Sequence, residues 1–377
     1  MFSKVRNLIT VKNGVSRISS SQLSTSFSNT TKEPGRVVFI SQASDVYSNL
    51  ALEDWLYRNW DFSKRHVLFL WRNSPCVVIG RHQNPFCEAN IPYLESAGVP
   101  IVRRNSGGGT VYHDDGNLNC TFFTSKQSYN RRHNLSVICD ALRKDFNILA
   151  DINEKDDIVV NSSLKISGTA AKLGGNSAYH HCTLLVASDK MQLKLALKGD
   201  RTLKSNATKS VPSSTANLQD FAPDMTVEKL LESVGRNFLN YKTTEEDDHE
   251  SKTDVRSDGF TLINPTEDWF PGLDEIKENL KSWNWFVGMT PLFKQKRPVT
   301  IDQSFSEGSA ILVSIEVFHG IIKGVTVESS VSQALKEYIE KQIGNTIVGS
   351  RYAPEIFLDI ESRLIEREPK PQYYSAH

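Results

Sequence analysis

Two five-residue apolar runs, Val67-Leu68-Phe69-Leu70-Trp71 and Cys76-Val77-Val78-Ile79-Gly80, stand only four residues apart. Each has the length of a buried strand and is too short for a helix with an apolar stripe. No stretch of the chain approaches the ~18–20 consecutive apolar residues that carry a helix across a bilayer, which excludes a membrane-spanning helical protein. Around the two runs the period changes. Ala51-Leu52-Glu53-Asp54-Trp55-Leu56-Tyr57 reads as helix. Val137, Ile138, Ala141, Leu142, Phe146 and Leu149 recur at three- and four-residue steps, as do Val227, Leu230, Leu231, Val234 and Phe238. The mixture over Val37–Tyr241 predicts an α+β domain built on a large mixed or antiparallel sheet.

The length of 377 residues leaves room for more than one domain. Tyr241 through Gly259 is dense in charge and lacks apolar periodicity, so it reads as a linker or surface loop. Beyond it, Leu273, Ile276, Leu280 and Trp283 form a helical stripe, and Ser309–Val327 gives two strands around a His319-Gly320 turn. Val331, Leu335, Tyr338, Ile339 and Ile343 form a further helix, with Gly344 as its expected C-terminal cap. A small second α+β domain follows from these elements.

Charge separates the beginning of the chain from the rest. Residues 1–32 hold Lys4, Arg6, Lys12, Arg17 and Lys32, no acid, and many serines. Phe2, Val5, Leu8 and Ile9 can share a helical face, which together with the charge is the pattern of a mitochondrial transit peptide. Removing those five bases from 44 leaves 39 against 44 acids. A mildly acidic body argues against non-specific nucleic-acid binding, which needs clustered bases. Cys76, Cys87, Cys120, Cys139 and Cys182 are odd in number and contain no CxxC pair. A reducing compartment is therefore expected, without disulfide framework or zinc site.

Three segments carry candidate chemistry. In Arg103-Arg104-Asn105-Ser106-Gly107-Gly108-Gly109-Thr110-Val111-Tyr112-His113, the glycine triplet lets backbone lie flat against a ligand, and successive N–H groups can hold phosphate or carboxylate oxygens. The two arginines add positive charge. The triplet fits neither GxGxxG nor a Walker loop. In Lys165-Ile166-Ser167-Gly168-Thr169-Ala170-Ala171-Lys172, small residues leave space beside Lys165, whose ammonium suits an acyl carbonyl or a phosphate. His180 and His181 follow on a strand, pointing to opposite faces, and are read as a structural pair rather than a metal chelate, with one near the pocket. Third, Arg72 and Arg81-His82-Gln83-Asn84 flank the buried strand after Trp71, placing polar groups at both ends of an apolar wall.

Together these segments resemble the lipoate–protein ligase and lipoyltransferase family. The resemblance is carried by WRNSPCVVIGRHQNP, RRNSGGGTVYHDDGN, KISGTAAK followed by YHHCTLL, SNATKSVPSSTANL, and SWNWFVGMTPLF at Ser282–Phe293. It implies a biotin/lipoate ligase-like catalytic domain over 37–260 and a small accessory domain over 261–368, with a transit peptide over 1–32 and a tail over 369–377. The implied reaction attaches a lipoyl group to a lysine of an acceptor domain. The address and the variant second domain resemble the animal mitochondrial branch, which uses an activated donor, either lipoyl-AMP or lipoyl carried on the glycine-cleavage H protein. Acceptors would then be the lipoyl domains of 2-oxoacid dehydrogenase E2 subunits in the matrix. No tightly bound cofactor, metal, nucleic acid or membrane is implied, and a monomer is expected.

By similarity, Lys165 contacts the acyl carbonyl and the adenylate phosphate without becoming the nucleophile. Arg72, Ser106, Gly107, Gly108, Gly109, Tyr112 and Thr183 line the lipoyl-AMP, and Val211 and Ser213 offer backbone to the nucleotide. Lys155 stands where many members have Arg, keeping charge but losing a bidentate fork. Two other readings stay open: a complete ATP-dependent ligase that also needs ATP and Mg, and a non-catalytic module that binds lipoyl domains.

Overall fold

Strand β1 (Gly35–Ser41) runs parallel to both of its neighbours, β2 (Arg65–Trp71) and β13 (Ser257–Ile263). The computed structural model describes residues 34–200, 203–241, 257–300, 310–328 and 332–365. The leader expected over 1–32, most of the charged segment after Tyr241, Val331 and the tail over 369–377 lie outside the described residues. Between β2 and β13 the chain forms β3 (Cys76–Ile79), β4 (Ile101–Arg103), β5 (Val111–His113), β6 (Asn117–Ser125), β7 (Ala150–Ile152), β8 (Ile158–Val160), β9 (Leu164–Lys165), β10 (Thr169–Gly174), β11 (Ser177–Leu185) and β12 (Lys204–Ser205).

The principal sheet has the order β10-β11-β6-β2-β1-β13. Its first four strands are antiparallel and its last three parallel, so the fold is mixed α+β, as the alternation of periods predicts. Leu68, Leu70, Leu118, Cys120, Phe122, Cys182 and Leu184 face one side, where helices α2 (Arg131–Phe146) and α3 (Val227–Asn240) bury their apolar stripes. The other face meets α1 (Val46–Asn59), whose cap is Asp45 accepting from the Ser48 amide at 2.9 Å. α2 stops one turn earlier than the spacing predicts. Asn147 takes a left-handed φ of 55°, and Leu149, expected on the buried stripe, is 73 % exposed.

Two smaller sheets, β4-β3-β5 and β7-β8-β9, complete the first unit. The second apolar run, β3, is thus the centre of its own sheet, paired parallel to β4 and antiparallel to β5. β13 and α4 (Leu273–Lys281) belong to this unit, and α4 packs against α1, so the domain boundary expected at 260 falls instead after Ser282.

The second unit begins at Trp283 and also takes in His82–Glu88 and Gly199–Thr208. Its sheet is β12-β14-β15-β16, with β14 (Phe293–Thr300), β15 (Ala310–Phe318) and β16 (Ile321–Val327). The expected hairpin turn is present, with positive φ at His319 and Gly320. Gly344 does not end the following helix: it is helical itself, after a π-turn over Tyr338–Ile343, and the chain leaves the helix at Val348 before a left-handed Gly349.

Candidate functional site

Lys165 sits in a two-residue strand locked on both sides. It pairs with Val159 of β8, its amide donates to the Ser214 carbonyl at 2.9 Å, and its carbonyl accepts from Ala216. The ammonium meets Asp157 Oδ1 at 2.8 Å. Asp157 is oriented by the tight turn before it, in which Asn153 Oδ1 accepts from the amides of Lys155 and Asp157. Gly168 faces the same ammonium. A Cβ there would lie 3.7 Å from Lys165 Cε and 3.6 Å from Thr183 Oγ1, and the Gly168 amide donates to that hydroxyl at 3.2 Å.

One residue further, the KISGTAAK segment meets the glycine loop. A Cβ at Gly108, whose φ is +83°, would stand 3.2 Å from Ala170 Cβ and 3.6 Å from the Thr169 carbonyl oxygen. The loop and the lysine strand therefore converge on Gly168–Ala170 from two sides. Arg104 holds the loop in shape from within. Its buried guanidinium donates to the carbonyls of Val78, Gly107 and Gly109 and to Ser106 Oγ, at 3.2, 2.5, 2.7 and 2.9 Å. Burial lowers its pKa to about 10. Arg103 likewise donates to the carbonyls of Gly80 and Arg81. Both arginines thus bind protein backbone, where the sequence suggested charge offered to a ligand. The amides of Gly107, Gly108 and Gly109 have no partner among the described residues, and the loop is open at Gly107, where an added Cβ would touch nothing.

Beneath the loop runs a chain of hydrogen bonds on the α1 face of the sheet. Ser106 Oγ contacts His181 Nε2 at 2.9 Å, and His181 Nδ1 contacts Glu53 Oε1 at 2.8 Å. Thr121 Oγ1 donates to the same carboxylate and accepts from Trp71 Nε1. Ser106 Oγ also accepts from Arg104 Nε, so one hydroxyl joins the brace of the loop to the His181–Glu53 pair. Burial pushes the Glu53 carboxyl up, but His181 and Thr121 outweigh it and hold it below the ordinary range. The two histidines do point to opposite faces: His180 stacks on Phe122 in the α2–α3 core, with both ring nitrogens lacking a partner among the described residues.

The other residues singled out in the sequence scatter. Tyr112 is paired with Val77 and buried on the side of β5 opposite His113; burial, then Asp114, Asp189 and Tyr93, raise its pKa to about 12. His113, the next residue of the same segment, lies beside Trp71 and Arg104. Arg72 forms an ion pair with Glu228 at the start of α3. Lys155 is exposed on the turn that carries Asp157, and Arg131 and Arg132 are ion-paired with its neighbour Asp156. Val211 and Ser213 lie on a strap between the two halves of the site: Ser210 Oγ accepts from the Thr110 amide at one end, and Thr215 bridges Lys165 at the other. Both are exposed. Among the described residues no group of three His, Cys, Asp or Glu is placed to hold a metal.

Sequence reasoning gave no role to Asp157 or Glu53. The first stands in the Lys155-Asp156-Asp157-Ile158 stretch, but its contact with Lys165 is made by the β8–β9 hairpin. The second leaves a trace, two acids inside an apolar helical segment, where a buried carboxylate demands a partner.

An arrangement with an ammonium, a hydroxyl and open loop amides around one small-residue segment can hold an acyl carbonyl next to an anionic leaving group. Residues 45–239 match the model of the lipoyl protein ligase A/B catalytic domain. The human mitochondrial lipoyl amidotransferase LIPT1 is 38 % identical over 323 residues, covering 84 % of this chain and 82 % of that protein. Lipoate-protein ligase A of Bdellovibrio bacteriovorus is 35 % identical over 263 residues, covering 69 % and 74 %. The crystal structure of Plasmodium falciparum LipL1 in complex with lipoate superimposes with a TM-score of 0.57 at 25 % identity, covering 88 % of this chain and 98 % of that one. With a family model matched over half its length and relatives of this identity over most of it, the chain belongs to the lipoyl protein ligase A/B catalytic-domain family.

Proposed function

We propose that this protein is a lipoyl amidotransferase that moves a lipoyl group from an activated donor, lipoyl-AMP or a lipoylated glycine-cleavage H protein, to a lysine of 2-oxoacid dehydrogenase E2 lipoyl domains. The observation that carries the reading is the convergence of Lys165, Thr183 and the glycine loop on Gly168–Ala170. The likeness to human LIPT1 favours transfer over a non-catalytic binding role, and the mitochondrial name of that relative, with the basic leader, favours the matrix as the working place.

In this reading the acceptor amine, with a reference pKa near ~10.4, loses a proton before attacking the carbonyl carbon of the mixed anhydride. With lipoyl-AMP as donor, charge then builds on the carbonyl oxygen and AMP departs with its pair of electrons; with the lipoylated H protein, the departing lysine amine takes up the proton that the acceptor amine gave up. AMP is a good leaving group, so the protein's contribution is orientation and stabilisation of the oxyanion. Lys165 supplies the positive charge, oriented by Asp157, and the loop amides of Gly107–Gly109 receive phosphate oxygens. Arg104 fixes those amides in one conformation before the donor arrives. Ser106 acts within this brace, and Val211 and Ser213 present the strap's backbone to the nucleotide. Arg72, Lys155 and Tyr112, which lie apart from this convergence, are given no part in the step.

The test is mass spectrometry of an apo lipoyl domain incubated with the full chain and each donor. Addition of one lipoyl group from lipoyl-AMP is expected. No addition from either donor overturns the proposal. Lipoate-dependent pyrophosphate exchange with ATP and Mg identifies the complete ligase instead, a reading supported by relatives named lipoate-protein ligase A.

A further inference from the structure

Ser106, His181 and Glu53 stand in one line of hydrogen bonds. Ser106 Oγ lies 2.9 Å from His181 Nε2, and His181 Nδ1 lies 2.8 Å from Glu53 Oε1. A hydroxyl, an imidazole and a carboxylate in that order, joined through the two ring nitrogens, are the parts of an activated serine nucleophile. Glu53 is buried and ionised: burial raises its pKa, and His181 and Thr121 outweigh that rise. Bracing the glycine loop does not require this line, because Arg104 already holds the loop through Ser106 and three carbonyls. Arg104 Nε donates to the same Ser106 oxygen, which favours the loss of its proton.

Two features beside the line complete the set. The amide of the residue after the hydroxyl, Gly107, has no partner among the described residues, and neither have those of Gly108 and Gly109. An amide in that position commonly receives the oxyanion that forms when a serine attacks a carbonyl. His181 stands opposite Ala170 in the β10–β11 ladder, and Thr183, two residues along the strand, faces the same side about 7 Å away. The serine is therefore beside the Gly168–Ala170 segment on which Lys165 and Thr183 converge. Ser106 is 1 % exposed, which keeps water from an ester formed on it, and the neighbouring Gly107 borders open space.

We propose that Ser106 is a nucleophile that carries the lipoyl group as a transient ester when the donor is an amide, the lipoylated H protein. The inference rests on the lipoyl-transfer reading and concerns the second of its two donors. AMP leaves a mixed anhydride unaided, whereas a lysine amine leaves an amide only after its nitrogen gains a proton. In the first half-reaction Ser106 Oγ attacks the lipoyl carbonyl carbon and passes its proton to His181 Nε2. The loop amides and Lys165 bear the oxyanion. The C–N bond then breaks as His181 gives that proton to the departing lysine nitrogen. In the second half-reaction the neutral acceptor amine attacks the ester carbonyl, and His181 takes a proton from its nitrogen. The C–O bond breaks as that proton returns to Ser106 Oγ. Glu53 stays ionised throughout and balances the imidazolium. One amide is exchanged for another, with no further reactant.

The first measurement uses the wild-type full chain. Initial rates are taken with lipoylated H protein and apo lipoyl domain both varied. Parallel double-reciprocal lines, the pattern of an acyl-enzyme, are expected, and intersecting lines overturn the inference. Ser106→Ala and His181→Ala then assign the residues, in variants whose melting curves show them folded. Each should lower transfer from the H protein by ~10³-fold or more, and at least about tenfold more than it lowers transfer from lipoyl-AMP. Equal losses with both donors mean that the line only braces the loop, which also overturns it. The layers separate by donor: no transfer from either sinks the proposed function, whereas transfer from lipoyl-AMP and none from the H protein sinks this inference alone.

Discussion

At the scale of single residues, the site depends on charges being held still rather than on charges being present. Lys165 is one of many lysines, and what distinguishes it is Asp157 at 2.8 Å and a backbone locked to Val159 and Ser214. Replacing Lys165 by Ala should lower the rate constant for lipoyl transfer by ~10²–10³, the usual cost of one lost oxyanion partner, while the thermal midpoint stays near wild type. Near-normal single-turnover rates in a folded Lys165→Ala protein would contradict the role. Asp157→Asn keeps shape and removes the ion pair, so the loss should fall mainly in kcat, about 10- to 10²-fold, as expected when a catalytic group is misplaced. Steady-state kinetics that move KM alone would assign Asp157 to ground-state binding instead. Of these two residues only Lys165 was legible in the sequence. Small neighbours mark a place where a ligand can approach a strand, but nothing in the spacing marks a carboxylate delivered by a turn. Glu53 and His181, 128 positions apart, meet only because α1 lies across β11.

Elements position these residues through close backbone approach, and glycine is where that approach shows. Gly116, in the turn between β5 and β6, has no room for a side chain: a Cβ would lie 2.2 Å from the Ala187 carbonyl oxygen and 2.7 Å from the Ser188 amide nitrogen. The same turn accepts from the amides of Val186 and Ala187. Gly116→Ala therefore forces backbone to move, and should destabilise by about 1–3 kcal/mol or more, as overpacking does. A shifted urea midpoint with unchanged slope checks it, and an unmoved midpoint would show that the turn relaxes freely. Gly108→Ala acts differently. Its φ of +83° and the 3.1 Å approach to the Arg104 guanidinium penalise any side chain, but the loop is exposed there. That substitution should weaken donor binding far more than folding, seen as a raised KM with a preserved melting curve. The glycine run was legible as an open loop with free backbone amides. The purpose of Arg104 was not, because a guanidinium turned inward to carbonyls and one turned outward to phosphate have the same sequence.

For the whole molecule, the strand and helix periods were readable because one-sided burial forces them, and the mixed sheet follows. The division of the chain was not. β13 returns to the first sheet, and His82–Glu88 and Gly199–Thr208 join the second unit, through pairings that no local composition reports. The core itself carries a measurable signature of this packing. His113 and His180 are both buried and neutral, the first with a pKa pushed down to about 3 and the second well below its ordinary 6.5, in each case chiefly by burial. Between pH 6.5 and 3 the unfolded chain binds a proton at His113 that the folded chain refuses, and His180 acts in the same direction. Stability then falls as pH falls, by about 1.4 kcal/mol per pH unit for His113, or roughly 2 kcal/mol between pH 7 and pH 5. Glu53 adds to this only at lower pH, since a carboxyl held below its ordinary value loses its contribution as pH drops through the folded pKa. His180 touches none of the proposed ligand contacts, stacks on Phe122, and has two ring nitrogens without a partner among the described residues. His180→Leu removes one proton from the balance and both unsatisfied atoms. The variant should melt higher than wild type at pH 5 by more than it does at pH 7.5, and parallel melting curves at the two pH values would mean that the buried histidine already finds a proton-accepting path in the folded state.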